Sequence, residues 1–353
     1  MEGDTVAQSW YQFDRPAKEW IEIDPASAAT TKASVAASAS DDGKFTLATW
    51  NVDAFEARPQ ERISALVDHI RSLTPPDIIF LQELSGAALI KLLTIPWICE
   101  SYYVTPGAVN SWLELNLSSF TTATLISKTR FGGPVCLGLV WRVFYESRYG
   151  RDALCCDVHF PPPATSTPMT ATSTPASASP GTAVASAPTP PSAAEARAVI
   201  RLINVHLDSL AHRPSFRPDQ LAITATSLRQ VGRGLVAGDF NPVLPEDSTL
   251  VAANGLVDAW TTLHPEEPGF TWGIDGKAPF PPRRMDKIAM LGLEASHMEV
   301  MIPGTLEPEP VTSQKEQKVS GVESRRRQGR SGPLPWSDHC GLLCTFSVAE
   351  SGS

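Results

Sequence analysis

Apolar positions in the first half of the chain alternate between two periods. Residues Phe45–Asn51 (FTLATWN) form a short β-prone run. From Glu61 to Leu73, Ile63, Leu66, Val67, Ile70 and Leu73 recur at the spacing of one helix face, and Pro75-Pro76 end the pattern. It repeats at once: Asp77–Gln82 (DIIFLQ) reads as a buried strand, followed by a helix from Ser85 towards Leu93 that Pro96 terminates. Further runs predict strands at Phe120–Ser127, Ala153–Phe160, Val199–Leu207, Leu235–Ala237, Met285–Leu291 and Leu342–Val348. Strands interleaved with amphipathic helices assign the α/β class.

Three stretches break the pattern. Residues 26–42 are mostly Ala, Ser and Thr, with nothing large to bury, so their ordering entropy is not offset and the segment is expected to be flexible. Two insertions, at about 161–196 and 307–333, are read as disordered loops; the first is rich in Pro and small residues. The second carries Lys315, Lys318 and Arg325-Arg326-Arg327, which read either as a solvated loop or as a nuclear-import or nucleic-acid patch. The expected division is a largely flexible segment 1–44 and one folded domain, 45–349, interrupted by the insertions. Two aromatic clusters, Trp10 to Phe13 and Trp20 to Ile23, precede that domain and either dock on it or serve a partner.

With 353 residues, 42% of them apolar, the chain can bury a large core. No stretch approaches the unbroken apolar length of a membrane span and no signal pattern opens the chain, so the expectation is a soluble intracellular monomer without a membrane partner. The six cysteines lack C-x-x-C spacing and read as reduced thiols. A net charge of −9 argues against broad electrostatic attraction to nucleic acid yet leaves room for a locally basic groove.

Four polar clusters sit where strand-like runs end, where α/β sheets place ligand sites, and a fifth, at Ser337 to His339, precedes the last run. Asn51 ends the first run, and Glu83 follows Ile78–Leu81, a placement that suits a hard oxygen ligand for Mg²⁺. In Asn204-Val205-His206-Leu207-Asp208-Ser209, period-two alternation puts His206 and Asp208 on one face. Gly238-Asp239-Phe240-Asn241 offers an acceptor to orient a water and an amide to hold it. Ser337-Asp338-His339 puts a carboxylate next to an imidazole, so Asp338 could help hold a metal while His339 contacts phosphate, and Asp286 could orient His339. Each cluster alone has an ordinary structural reading as a turn or a packed polar residue.

Their joint order resembles the exonuclease–endonuclease–phosphatase superfamily. The resemblance implies a four-layer α-β-β-α sandwich with the site at one end, and metal-dependent phosphodiester hydrolysis. TWNVD (49–53), PDIIFLQEL (76–84), FTTATLISKTRF (120–131), HLDS (206–209), FTW (270–272), RRMDKI (283–288) and SDHCGLLC (337–344) are similar to the branch that removes topoisomerase-derived tyrosine from DNA 5′ ends. That branch implies Glu83 as ligand of Mg²⁺, with Mn²⁺ as a substitute. Asn51, Asp239 and Asn241 would orient water and phosphate, His206, Ser209 and His339 would contact phosphate oxygens, and Trp272 would line the groove. It also implies DNA with a 5′-tyrosyl adduct as partner and a nuclear location, the cytoplasm being a second one. The sequence departs where the branch reads Gly-Asp-Thr-Asn-Leu-Arg-Asp: here Asn241-Pro242-Val243 lacks the arginine, and Arg213, Arg217, Arg283 and Arg284 are the candidate replacements. An apurinic-site endonuclease and a catalytically silent adaptor are the competing expectations.

Overall fold

The structure, a computed structural model, describes residues 3–23, 43–107, 120–131, 137–160, 198–308 and 332–348. Its strands are β1 (Asp4–Gln8), β2 (Trp10–Asp14), β3 (Glu19–Ile23), β4 (Lys44–Asn51), β5 (Ile78–Ser85), β6 (Tyr102–Thr105), β7 (Phe120–Ser127), β8 (Leu137–Phe144), β9 (Asp152–Phe160), β10 (Ala198–His206), β11 (Gly234–Asp239), β12 (Val257–Asp258), β13 (Asp286–Leu291), β14 (Leu293–Met301), β15 (Thr305–Leu306), β16 (Leu334–Pro335) and β17 (Gly341–Val348). The principal helices are α1 (Pro59–Ser72), α2 (Gly86–Leu92), α3 (Pro96–Ser101) and α4 (Arg217–Val231).

Two βαβ units organise these elements. In one, β4 and β5 pair in parallel and α1 connects them; in the other, β10 and β11 pair in parallel across α4. A parallel pair needs such a crossover, and the helix then covers the sheet face it crosses. The first unit lies in a sheet of order β14-β17-β4-β5-β7-β6-β2-β3, the second in a sheet of order β1-β8-β9-β10-β11-β13-β12.

Three apolar clusters hold the layers. The central one joins Phe45, Leu47, Ile78 and Phe80 of the first sheet to Leu154, Cys156, Leu202 and Leu235 of the second. On the first sheet's other face, Ala48, Ile79 and Leu81 pack with Ile63, Leu66, Val67 and Ile70 of α1, whose buried aliphatics each contribute roughly 1.5–3 kcal/mol. On the second sheet's other face, Ile203, Val205 and Val236 meet Leu221, Ala225 and Leu228 of α4. The resulting order is helix, sheet, sheet, helix, as the sequence led one to expect.

Two expectations need correction. Order begins well before Phe45: β1 pairs with β8, and β2 with β3 and β6, so residues 3–23 extend an edge of each sheet. Trp10, 1% exposed, anchors the crossing by donating its indole N–H to the Gly138 carbonyl at 3.1 Å. Short edge strands escape a local reading because their partners are distant in sequence. Pro96, moreover, does not end a helix but opens α3 at a position where its missing N–H costs nothing. Residues 24–42, 161–197 and 309–331, on which the three disorder expectations largely fall, lie outside the described residues.

Cys99, Cys155, Cys156, Cys340 and Cys344 are free and buried. No helix among the described residues is long and apolar enough to cross a membrane.

Candidate active site

The C-terminal ends of the two βαβ units face each other. Asn51 closes β4, Glu83 follows in β5, His206 ends β10 and Asp239 ends β11. Beneath them a buried amide pair spans the sheets: Gln82 Nε2 donates to Asn204 Oδ1 at 2.8 Å and to Thr49 Oγ1 at 3.0 Å, while Asn204 Nδ2 donates to the Ala123 carbonyl at 2.8 Å. This bridge fixes the separation of the strands that carry the site. Gly238 is required here: at φ 135° a Cβ would lie 2.0 Å from the Val205 carbonyl oxygen.

Asn51 is the hub. Its Nδ2 donates to Glu83 Oε1 at 3.2 Å and to Asp239 Oδ2 at 3.0 Å, and its Oδ1 accepts from the Asp53 amide. The other Glu83 oxygen accepts from the Ala54 amide at 3.1 Å. Asp53, Glu83 and Asn241 all hold left-handed φ values of 54°, 55° and 46°, which non-glycine residues adopt only where the surroundings enforce them. The Asn241 amide donates to Asp239 Oδ1 at 2.9 Å and its side chain to the Leu207 carbonyl at 3.1 Å, so the Asp-x-Asn turn is locked.

Two histidines flank Asp239 in different protonation states. His206 Nε2 lies 3.5 Å from Asp239 Oδ2 and 3.6 Å from Glu83 Oε1. Burial, then the nearby Arg151 charge, hold its pKa well below the usual value, so it is neutral. His339 Nδ1 is 2.8 Å from Asp286 Oδ2, and its Nε2 is 3.9 Å from Asp239 Oδ2. Burial is the largest single influence on His339 and lowers its pKa, but Asp286, Asp239 and Asp338 together outweigh it and raise the pKa well above normal. Burial pushes the Asp239 carboxyl up to about 7, against the opposing pull of His339. Ser337 ties this pair to β4, its Oγ donating to the Asn51 carbonyl at 2.6 Å and accepting from the His339 amide at 3.0 Å.

A family model described as the Endonuclease/Exonuclease/phosphatase family matches residues 48–339. The chain belongs to this family. No curated protein sequence matches the chain. Among solved structures, D. rerio TDP2 complexed with a single-strand DNA product is 19% identical, covers 87% of this chain and 100% of its own, and superposes with a TM-score of 0.54. Truncated Caenorhabditis elegans TDP2 is 18% identical over 86% of this chain and 97% of its own, also with a TM-score of 0.54. A family protein from Bacteroides thetaiotaomicron reaches 0.51 at 12% identity, with coverages of 86% and 98%. At these identities the likeness speaks to the fold, and the family membership makes the chain a hydrolase of phosphoester bonds.

As a member of this family the chain brings together seven of the residues singled out by sequence: Asn51, Glu83, His206, Asp239, Asn241, Asp286 and His339. Asp338 stands at the rim, its side chain 53% exposed and accepting from Trp272 Nε1 at 3.1 Å, with His339 Nε2 4.0 Å away. Trp272, expected to line the groove, is thus held by this carboxylate. Asp208 does not share a face with His206, because β10 ends at His206 and period two ends with it. It turns instead to accept from Ser147 Oγ and from the Arg148 amide at 2.9 Å.

That turn delivers a residue the sequence reading missed. Ser147 Oγ accepts from the Arg151 amide at 2.9 Å, and the Arg151 guanidinium lies 4.8 Å over the Phe120 ring and donates to Ser209 Oγ at 3.1 Å. Its Nε and Nη1 are buried and make no hydrogen bond among the described residues. Burial lowers its pKa, while Glu83 and Asp239 favour its charge. The four replacement candidates are engaged elsewhere. Arg213 pairs with Glu246 at 2.7 Å, Arg217 with Asp247 at 2.9 Å and Arg284 with Asp258 at 2.7 Å, while Arg283 donates to the Val243 carbonyl at 3.0 Å. Pairing register, which the sequence does not display, brings Arg151 here: it precedes a strand antiparallel to β10, in register Ala153 with Val205, so the start of β9 lies beside the His206 end.

The donor set fits a hard divalent cation. The carboxylates of Asp338 and Glu83 lie close enough to Asp53 to raise its pKa, Glu83 does the same to Asp239, and all four offer oxygen atoms only. Asp239, Asp286 and His339 also bring ligand atoms within 4.8 Å of one another. In that trio His339 Nδ1 and Asp286 Oδ2 already bond each other, which suits an oriented imidazole better than a cation cage.

Proposed function

We propose that this hydrolase is a Mg²⁺-dependent phosphodiesterase that cleaves the 5′-phosphotyrosyl bond joining DNA to a trapped topoisomerase, leaving a 5′-phosphate. The carrying observation is the single Asn51 amide that binds both Glu83 and Asp239 between two histidines, with Arg151 holding spare buried donors beside them. The TWNVD, FTW and SDHCGLLC stretches support tyrosyl-DNA as the substrate, and TDP2 among the structural neighbours agrees with it.

Glu83 would hold the cation, with Asp338 as a second carboxylate at the rim. Bound there, Mg²⁺, or Mn²⁺ in its place, supplies Lewis-acid stabilisation of charge on the phosphate oxygens. Asp239 takes the proton of the attacking water; a base titrating near 7 suits neutral pH, and Asn241 orients that water. Neutral His206 and the positively charged His339 and Arg151 donate to the phosphate oxygens as charge grows there. Asp286 keeps His339 protonated and aimed. Ser209 is drawn to Arg151 and positions it. A phenol leaves readily because its pKa is near 10. The protein acts as a monomer, in the nucleus, where its DNA substrate lies.

Purified protein with Mg²⁺ and a 5′-phosphotyrosyl oligonucleotide should release tyrosine, and Asp239→Ala should lower the rate on the order of 10²-fold or more. No tyrosine release at micromolar enzyme rejects the substrate. A second reading, an apurinic-site endonuclease, is favoured by the Gly238-Asp239-Phe240-Asn241 form of the turn and by Val243 standing where an arginine would mark the tyrosyl branch. Nicking of an abasic duplex without tyrosine release would select it.

A further inference from the structure

At the mouth of the site a phenylalanine is held out into solvent. Phe55 is 75% exposed, and its ring meets Phe120 edge-on, centroids 5.4 Å apart at 88°. Phe120 in turn stacks on His206 at 5.8 Å and lies under the Arg151 guanidinium. The exposed ring therefore stands one aromatic contact from the groups assigned to the phosphate.

A lone exposed phenylalanine is ordinary on a protein surface. This one is fixed in place by polar groups on both sides of it. The buried Arg62 guanidinium donates to the Val52 carbonyl at 2.6 Å, to the Asp53 carbonyl at 2.9 Å and to the Glu56 carbonyl at 3.5 Å, gripping the loop on both sides of the ring. Asp53 Oδ1 accepts from the Phe55 amide at 3.2 Å, and Glu83 holds the Ala54 amide. The loop cannot fold the ring back onto the core without breaking the bonds that also position Glu83. A rigid flat π-face beside a phosphate site is what a stacked base requires: it gives contact area at little entropic cost and tolerates any sequence.

We propose that Phe55 is a stacking platform for a nucleobase next to the scissile phosphate, which makes the enzyme's ligand an unpaired strand rather than a bare phosphodiester. The inference rests on the nucleic-acid substrate of the reading above, though not on tyrosine as its leaving group.

The test measures discrimination. A short fluorescent single-stranded oligonucleotide is compared with the same strand carrying abasic tetrahydrofuran residues at its first two positions, by anisotropy with Ca²⁺ present. The same pair with 5′-tyrosyl ends is compared by kcat/KM in Mg²⁺. The wild-type protein should favour the base-bearing strand by roughly 5- to 100-fold, the range one stacked base provides. Phe55→Ala should bring that ratio close to one, and Phe55→Trp should restore it. A wild-type ratio of one, or a ratio that persists in Phe55→Ala because both strands weaken equally, overturns the proposal. If tyrosine is never released but the anisotropy ratio behaves as expected, the platform stands and the tyrosyl reading falls.

Discussion

Arg142 and Arg151 line the same small pocket beside His206, both nearly inaccessible, and yet they serve different ends. Arg142 spends its amino groups on the fold: it pairs with Asp152 at 2.6 Å and donates to Thr122 Oγ1 at 3.1 Å, Thr121 Oγ1 at 3.0 Å and the Thr122 carbonyl at 3.0 Å, tying one sheet to the other. Arg151 uses one nitrogen on Ser209 and keeps two without partners next to the carboxylates. Desolvating a guanidinium donor without a hydrogen bond is costly, so a fold retains such a group where a ligand satisfies it. Arg142 leaves only its Nε without a partner, so the extent of unused donor capacity beside the carboxylates, more than burial or charge, separates a working arginine from a structural one.

The sharpest way to break this comparison is to truncate both. Arg142→Ala strands the Asp152 carboxylate in the interior and should cost about 3–5 kcal/mol of stability, read from denaturant midpoints. Arg151→Ala breaks no direct ion pair among the described residues, so its midpoint should shift far less while kcat/KM falls on the order of 10²-fold. Equal destabilisation by the two variants would erase the distinction. A smaller effect is expected at Ser147, which joins Asp208 to the Arg151 amide: Ser147→Ala should lower kcat/KM about fivefold, the value of roughly one lost hydrogen bond, and affect Arg151→Ala no further.

The smallest effect concerns a third buried cation. Lys287, whose pKa burial pushes down to about 8, lies 3.8 Å from Asp258. A lysine's ordinary value is near 10.4, so between about 8 and that value the unfolded chain binds a proton that the folded chain does not, and stability from this group rises with pH. Below about 8 the cost of burying the charge is fully present. Lys287→Met should therefore raise Tm at pH 7, with Arg284 still pairing Asp258, and the gain should shrink towards pH 10. A gain that grows with pH would contradict the assignment.

The sequence made the catalytic cluster legible because each of its members adjoins an apolar run, Asn51, Glu83, His206 and Asp239 at its end and Asp286 and His339 at its start, and strand ends in α/β folds converge by topology. The same rule failed at Asp208, one alternation beyond where pairing stops. It could not see Arg151, because Ser147-Arg148-Tyr149-Gly150 reads as a polar turn and only antiparallel register brings it to His206. Nor did β8 or β14 announce themselves: Arg142 interrupts one apolar run, and the other, LEASHMEVM, sets four polar residues among its five apolar ones. Their places are set by tertiary pairing, which no local window contains.

Strand β17 lies between β14 and β4, in the interior of its sheet, although it is the last element of the described chain. Its antiparallel ladder with β4 starts just after His339 and lies beside the strand that carries Asn51. During synthesis, β4 and β5 therefore emerge long before the strand that must seat beside them, and Ser337 to His339 arrive only with it. A nascent chain stopped short of Ser337 would lack both the strand that seats between β14 and β4 and the His339 imidazole beside Asp239. Ribosomal products truncated there should carry no nuclease activity, so that the capacity to cut appears only once β17 has emerged.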